Sequence, residues 1–283
     1  MLGPTIGVKS MLSEHKDMLK GKLLLLDIEG TLTPGKGVPI LPEHLDILKS
    51  IAASRRSFTI GLLTGRGIGH TIEFEQLLGK DGLIIGESGG MVYYCDTRST
   101  INLTDARKRM SLNSAKAVLD VYVERVGGGI ESKQTMLSYN PPHGLSTAGF
   151  SAALRAQLSA VSPELLDDLE FTYSKSTVDI TCKGVNKGTG LLRVAEARGI
   201  AVSDIAFMGD GVNDLAAFRV VADGGGICLA PRNAAEEVKD YLREAAAAGK
   251  HALVLDKEST VAVLEVLYLM QQASRTKSKE RLR

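Results

Sequence analysis

No tryptophan occurs among the 283 residues, and aromatic side chains make up only 5% of them. A chain so poor in stacking rings is not a platform for single-stranded nucleic acid. Charge of either sign is not in excess: 34 basic residues against 33 acidic leave a net charge of +1, which gives no reason to expect nucleic acid or an anionic membrane as a partner. Cysteine is scarce. Cys95, Cys182 and Cys228 are odd in number and far apart, no pair has metal-ligand spacing, and a reducing compartment is the simplest reading. No apolar run reaches the roughly 18 residues of a membrane span. The opening MLGPTIGVKSMLSEHKDMLKGK lacks the continuous apolar core of a signal peptide. The expectation is a soluble, cytoplasmic protein.

What is present is ordinary for a globular chain, 44% apolar and 24% charged. Order along the chain is more telling. KLLLLD reads as a strand, PEHLDILKSIAAS (42–54) as a helix, residues 58–63 as a strand and HTIEFEQLLG (70–79) as a helix closed by Gly79; GLIIGESGG then forms a third strand ending in glycines. The alternation resumes with a helix over 186–198, the strand IAFMGD, the helix NDLAAFRVV, the strand GICLA, a helix through AAEEVKDYLREAAAA, the strand HALVLD and a final helix STVAVLEVLYLMQQ. Such alternation predicts right-handed βαβ units and a parallel sheet. The middle of the chain breaks the pattern. The expectation is therefore an α/β, Rossmann-like core formed by 20–88 and 183–272, with an α+β unit inserted over 89–182. A polar lead-in covers 1–19, and a charged tail, expected to fray, covers 273–283.

Four polar stretches fall at or just after strand ends in the α/β part, the edge where open parallel sheets bind ligands. They are Asp27-Ile28-Glu29-Gly30-Thr31, then Thr64-Gly65-Arg66, then Lys187 opening a helix, then Gly209-Asp210-Gly211-Val212-Asn213-Asp214. Two acids one residue apart at the end of a buried strand repel each other unless a cation pairs with them. Three carboxylates on one rim make an oxygen-only site suited to Mg²⁺. A lysine, a threonine hydroxyl and glycine-flanked N–H groups can bind a phosphoryl group. One carboxylate can act as nucleophile, and another two residues on, on the same side of an extended chain, can pass protons.

In this order, DxxGT, TGR, Lys and GDxxND resemble the haloacid dehalogenase superfamily over the α/β part of the chain. By that resemblance Asp27 is the nucleophile and Glu29 the general acid/base. Thr64, Gly65, Lys187 and Asn213 lie at the phosphate, and Mg²⁺ is held by Asp27, the backbone carbonyl of Glu29, Asp210 and Asp214. Between Asp27 and Thr64 there is room for one helix and one strand only, whereas more than a hundred residues separate Thr64 from Lys187. An insertion at that second place is similar to the Cof-like members, including sugar-phosphate phosphatases, sucrose-phosphate phosphatase and archaeal phosphoglycolate phosphatase, in which the inserted cap closes over the site and chooses the substrate. GESGG at 86–90 and SKSTVDITCKGVNKGTGL also look similar to that group.

Two residues depart from the family pattern. Glu29 stands where the motif usually has aspartate. The extra methylene moves the carboxyl by roughly 1.5 Å, and a misplacement of that order can cost about 100-fold in rate. DIEGT does occur in enolase-phosphatases of the same superfamily. Ser88 stands where many relatives have asparagine. The resemblance implies a Mg²⁺-dependent phosphatase of a small phosphorylated metabolite, a sugar phosphate or a sugar-derived acid phosphate such as phosphoglycolate, working as a monomer or homodimer on a small-molecule ester. The alternatives are a phosphomutase of phosphomannomutase type and a sugar-phosphate-binding regulator with little turnover. Arg66 stays open between a phosphate-side contact and a structural salt bridge. The five histidines share no ligand spacing; His143, in YNPPHG, reads as a turn residue or a substrate contact. Lys133, Arg125 and Lys175 are cations of the inserted unit with no role assigned individually.

Overall fold

The computed structural model describes residues 23–55, 58–174 and 176–280. The lead-in 1–19 and Lys175 lie outside the described residues.

Strand β1, Leu23–Leu26, is buried on both faces, as a continuous apolar run in a covered parallel sheet should be. Its leucines split by parity. Leu24 and Leu26 join one core with helix α1 (Pro42–Ser54) and helix α8 (Ser259–Glu280), while Leu23 and Leu25 join a second core on the other face. Strand β2 is Thr59–Leu63 and β3 is Leu83–Gly86. The expected helix over 70–79 is broken: two 3₁₀ turns at Ile68–His70 and Ile72–Phe74 precede a single α turn, α2, at Glu75–Leu78.

A hairpin follows, β4 Met91–Tyr94 and β5 Ser99–Asn102. It pairs antiparallel onto β3 and extends the large sheet. Residues 91–102 therefore belong with the core sheet, and the inserted unit begins after β5 instead of at 89. That unit comprises α3 (Ala106–Val126), β6 (Gly129–Glu131), β7 (Met136–Asn140), α4 (Thr147–Val161), β8 (Leu169–Tyr173) and β9 (Val178–Cys182). Its sheet runs β6-β7-β9-β8, all antiparallel. Leu137, Tyr139, Val178 and Ile180 pack with Leu112, Leu119, Phe150 and Leu154 of its two helices into a third core.

The chain returns to the large sheet through α5 (Lys187–Arg198), β10 (Ile205–Met208), α6 (Leu215–Asp223), β11 (Ile227–Ala230), α7 (Glu236–Ala247) and β12 (Ala252–Val254). The eight-stranded order is β12-β11-β10-β1-β2-β3-β4-β5. The order reverses between β1 and β10, which pair in parallel with Leu26 opposite Met208, so the two strand ends open side by side at a switch point. The tail expected to fray continues α8 as helix to Glu280. Among the described residues, no helix is long and apolar enough to cross a membrane.

Candidate active site

Asp27 leaves the end of β1 with its N–H donated to the Met208 carbonyl at 2.9 Å, which sets it beside Asp210 at the end of β10. The turn after Asp27 is tight. Gly30 has φ +79°, and a Cβ there would lie 2.1 Å from an Asp210 carboxylate oxygen, so only glycine fits. Thr31 Oγ1 donates to Asp210 Oδ1 at 3.0 Å and fixes that carboxylate. The Gly30 carbonyl is pinned from the far end of the chain, by Asn233 Nδ2 at 2.7 Å and Ser259 Oγ at 3.1 Å.

Helix α5 supplies the cation. Asn186 caps it in a reciprocal box with Thr189, each bond 3.0 Å, and Lys187 is its first residue. The Lys187 side chain is only 1% exposed; its Nζ lies 2.9 Å from Asp27 Oδ1 and 2.5 Å from Asp214 Oδ1. Asp214 in turn accepts from the N–H groups of Asp210 (3.0 Å) and Gly211 (2.9 Å) through Oδ2, which folds the GDGVND turn around it. Thr64, at the end of β2, is fully buried, with its N–H donated to the Ile85 carbonyl. Gly65 follows it, and a side chain there would meet Ser88 Oγ. Asn213 is exposed, its amide oxygen over Gly211.

The electrostatics are unbalanced. Burial and the neighbouring Asp214 push Asp27 up to about 7, and burial and Asp27 push Asp210 up to about 6, both from an ordinary 3.8. Burial also raises Asp214, outweighing the pull of Lys187. Burial alone would lower Lys187, but Asp214 and Asp27 prevail and raise it. One ammonium cannot neutralise three carboxylates. Asp27 Oδ1, although close to Lys187 Nζ, is a buried oxygen that accepts no well-angled hydrogen bond. One oxygen from each of Asp27, Asp210 and Asp214 lies within 4.8 Å of the others. An all-oxygen set of this size, short of positive charge and with a buried lone pair unclaimed, fits a hard divalent cation such as Mg²⁺.

The Glu29 carboxylate is not among the converging oxygens; it is turned to the Arg66 guanidinium, whose Nε donates to Oε1 in a short ion pair. Arg66, left open by the sequence, is thus a salt-bridge residue at the rim.

Three features escaped sequence reasoning. The first is that pairing of Arg66 with Glu29. The second is Glu87. It is buried, with φ 51°, and is followed by Ser88 with φ 54°. Its carboxylate accepts from Gln134 N at 2.9 Å and from Thr135 N and Oγ1 at 2.5 and 2.7 Å, joining the core turn to the inserted unit. The only sequence signal was the glycine-rich GESGG turn. The third is a polar row across the small sheet on the face away from its helices. Glu131, Ser138 and Asp179 are register partners there. Lys133 Nζ lies over them, 2.6 Å from Ser138 Oγ, 3.6 Å from Glu131 and 3.7 Å from Asp179. This face looks onto the rim: Lys36, in the loop after Thr33, bonds Glu131 at 3.1 Å, and a Cβ on Gly67 would lie 4.0 Å from Lys133 Cγ.

Residues 149–249 match the family model described as haloacid dehalogenase-like hydrolase. The chain is 28% identical over 220 residues to a protein named phosphoglycolate phosphatase from Halorubrum lacusprofundi, covering 77% of this chain and 89% of that one. It is 29% identical over 224 residues to one of the same name from Archaeoglobus fulgidus, covering 79% and 89%. Among solved structures, the sucrose-phosphatase of Synechocystis sp. in complex with sucrose and phosphate superposes with a TM-score of 0.59 at 17% identity, covering 89% of this chain and 98% of that one. The C-terminal domain of C. albicans trehalose-6-phosphate phosphatase gives 0.66 at 17% identity, covering 96% and 98%. At such identity these two likenesses speak for the fold.

Proposed function

We propose that this chain, a member of the haloacid dehalogenase superfamily and a phosphoric monoester hydrolase, uses Mg²⁺ to hydrolyse a small phosphorylated metabolite through an aspartyl-phosphate on Asp27. The observation that carries the reading is the convergence of Asp27, Asp210 and Asp214 around the buried Lys187. Asp27, the Glu29 carbonyl, Asp210 and Asp214 would hold the cation. When bound, it supplies positive charge that offsets repulsion between Asp27 and an incoming phosphate.

The chain's own groups do the rest. Asp27 attacks phosphorus in line. Thr64, the N–H groups around Gly65 and the Lys187 ammonium bind the transferring oxygens, with Asn213 at the outer edge. Glu29 gives a proton to the departing alcohol and then takes one from the attacking water. The inserted unit acts as a cap that excludes bulk water and selects the leaving group.

A sugar phosphate or a sugar-derived acid phosphate is the proposed substrate class. The polar row of Glu131, Ser138 and Asp179 under Lys133 offers donors and acceptors to a hydroxylated or acidic leaving group. The name phosphoglycolate phosphatase borne by relatives points the same way. A panel of phosphate esters that includes phosphoglycolate and hexose phosphates, assayed with and without Mg²⁺, tests the reading. Turnover should require Mg²⁺ and vanish in Asp27→Asn. No turnover of any ester, with Asp27→Asn indistinguishable from the unaltered protein, would sink it.

A further inference from the structure

We propose that Arg66 is the positioning residue for the group at position 29, gripping one carboxylate oxygen of Glu29 and leaving the other to exchange the proton with the leaving alcohol. The inference rests on the reading of Glu29 as the general acid/base.

A glutamate has one more side-chain torsion than an aspartate, so its carboxylate starts less ordered and must be held. The hold is monodentate. Arg66 Nε donates to Glu29 Oε1, and Oε2 accepts no hydrogen bond from a described residue. A charge-assisted bond of this kind is strong and directional. It fixes the carboxylate while keeping one oxygen available.

The grip is itself anchored. Arg66 N–H donates to Thr64 Oγ1 at 3.2 Å, and the Arg66 carbonyl accepts from Glu87 N–H at 2.9 Å. The guanidinium therefore hangs from a backbone tied to both the phosphate-side threonine and the cap joint. On its outer side Glu73 Oε1 stands 3.8 Å from Arg66 Nη1. The side chain is 23% exposed, on the wall of a cavity of about 390 Å³ between the segment 33–40 and the Phe74–Leu77 turn. Arg66 therefore stands on the solvent side of the rim, whereas Thr64 and Lys187 close the buried side. An aspartate at 29 would draw the carboxyl back by roughly 1.5 Å, a displacement on the scale that costs about 100-fold when reacting groups are misplaced.

The test uses the full chain with Mg²⁺ and two substrates: an alkyl phosphate ester from the panel, and p-nitrophenyl phosphate, whose leaving group departs as a stable anion and needs no proton. Arg66→Gln should lower kcat on the alkyl ester about 100-fold, with KM changed less than about 3-fold. In the pre-steady-state burst of p-nitrophenol from p-nitrophenyl phosphate, which reports phosphoryl transfer to Asp27 before the water step that Glu29 also serves, the same variant should lose less than about 5-fold. Arg66→Lys should recover part of the loss, since a lysine keeps the charge but not the planar fork. In a Glu29→Gln background, Arg66→Gln should have no further effect, because a residue acting only through Glu29 has nothing left to position. A raised KM with unchanged kcat would assign Arg66 to substrate binding and overturn the proposal. So would an equal loss in the phosphoryl-transfer step of both esters that adds to that of Glu29→Gln. If Glu29→Gln alone keeps full activity on the alkyl ester, the acid/base reading fails first, and Mg²⁺-dependent turnover abolished by Asp27→Asn would still mark the protein as a phosphatase.

Discussion

Lys187 decides the charge balance of the centre, because it is the buried cation between Asp27 and Asp214. Removing one partner of a buried ionic cluster leaves the others uncompensated and typically costs about 3–5 kcal/mol. Lys187→Met is expected to lower the stability of the metal-free protein by about that amount, read from urea unfolding, and to abolish turnover. The carboxylates give a second prediction. In the absence of metal the folded state holds Asp27 at about 7 and Asp210 at about 6, against 3.8 for the ordinary carboxyl. Between those values the folded protein keeps protons that the unfolded chain has released, so its stability falls as pH rises through the window from about 4 to 7. On the proposed reading, Mg²⁺ would compete with the same protons. The gain in thermal midpoint on adding Mg²⁺ should therefore be larger at pH 8 than at pH 5. Equal gains at the two pH values would dissociate these carboxylates from the metal.

Among the elements, the joint between core and inserted unit is tightly constrained. Glu87 and Ser88 both lie in the left-handed region, which costs an ordinary residue about 1–2 kcal/mol. The four bonds that Glu87 accepts from Gln134 and Thr135 offset that cost. Directly beneath, Gly89 meets the start of α5: a Cβ on Gly190 would lie 2.3 Å from Gly89 Cα, backbone against backbone. Gly190→Ala must push the joint away from the helix that carries Lys187. It should destabilise the protein by about 1–3 kcal/mol, measured by chemical unfolding, and lower kcat as well, since Lys187 moves with its helix. Glu87→Ala should cost about 1–3 kcal/mol by leaving the buried N–H and hydroxyl of Thr135 without an acceptor. None of this was readable from local pattern. GESGG announced a turn, but the partners of Glu87 lie nearly fifty residues on, and a carboxylate's distant acceptor role has no sequence period.

For the molecule as a whole, legibility followed the range of the interactions. The parallel half was readable because LLLL, FTIGLL and IAFM are short apolar runs separated by helical spacing, and burial on both faces leaves no other reading. The rim set was readable because each member sits at a strand or helix end, where chain order alone determines position. The hairpin Met91–Asn102 was misplaced because MVYY states only that a strand exists; which sheet it joins is decided by pairing with β3. The pairing of Glu29 with Arg66 was hidden for the same reason, since two loop residues meet only once β1 and β2 are side by side. The seam between β1 and β10 carries one more consequence, in the kinetics of folding. Thr31 and Asp210, hydrogen-bonded across that seam, are 179 positions apart in sequence. Contacts of such separation form late, after the loop-closure entropy of the whole intervening chain has been met. A cation bound between Asp27 and Asp210 thus recognises only the finished seam. Mg²⁺ should slow unfolding in proportion to its saturation and leave the refolding rate almost unchanged, as stopped-flow mixing with denaturant would record. The centre that reads as a device for catalysis is, on that timescale, a clasp closed after the two halves of the chain have met.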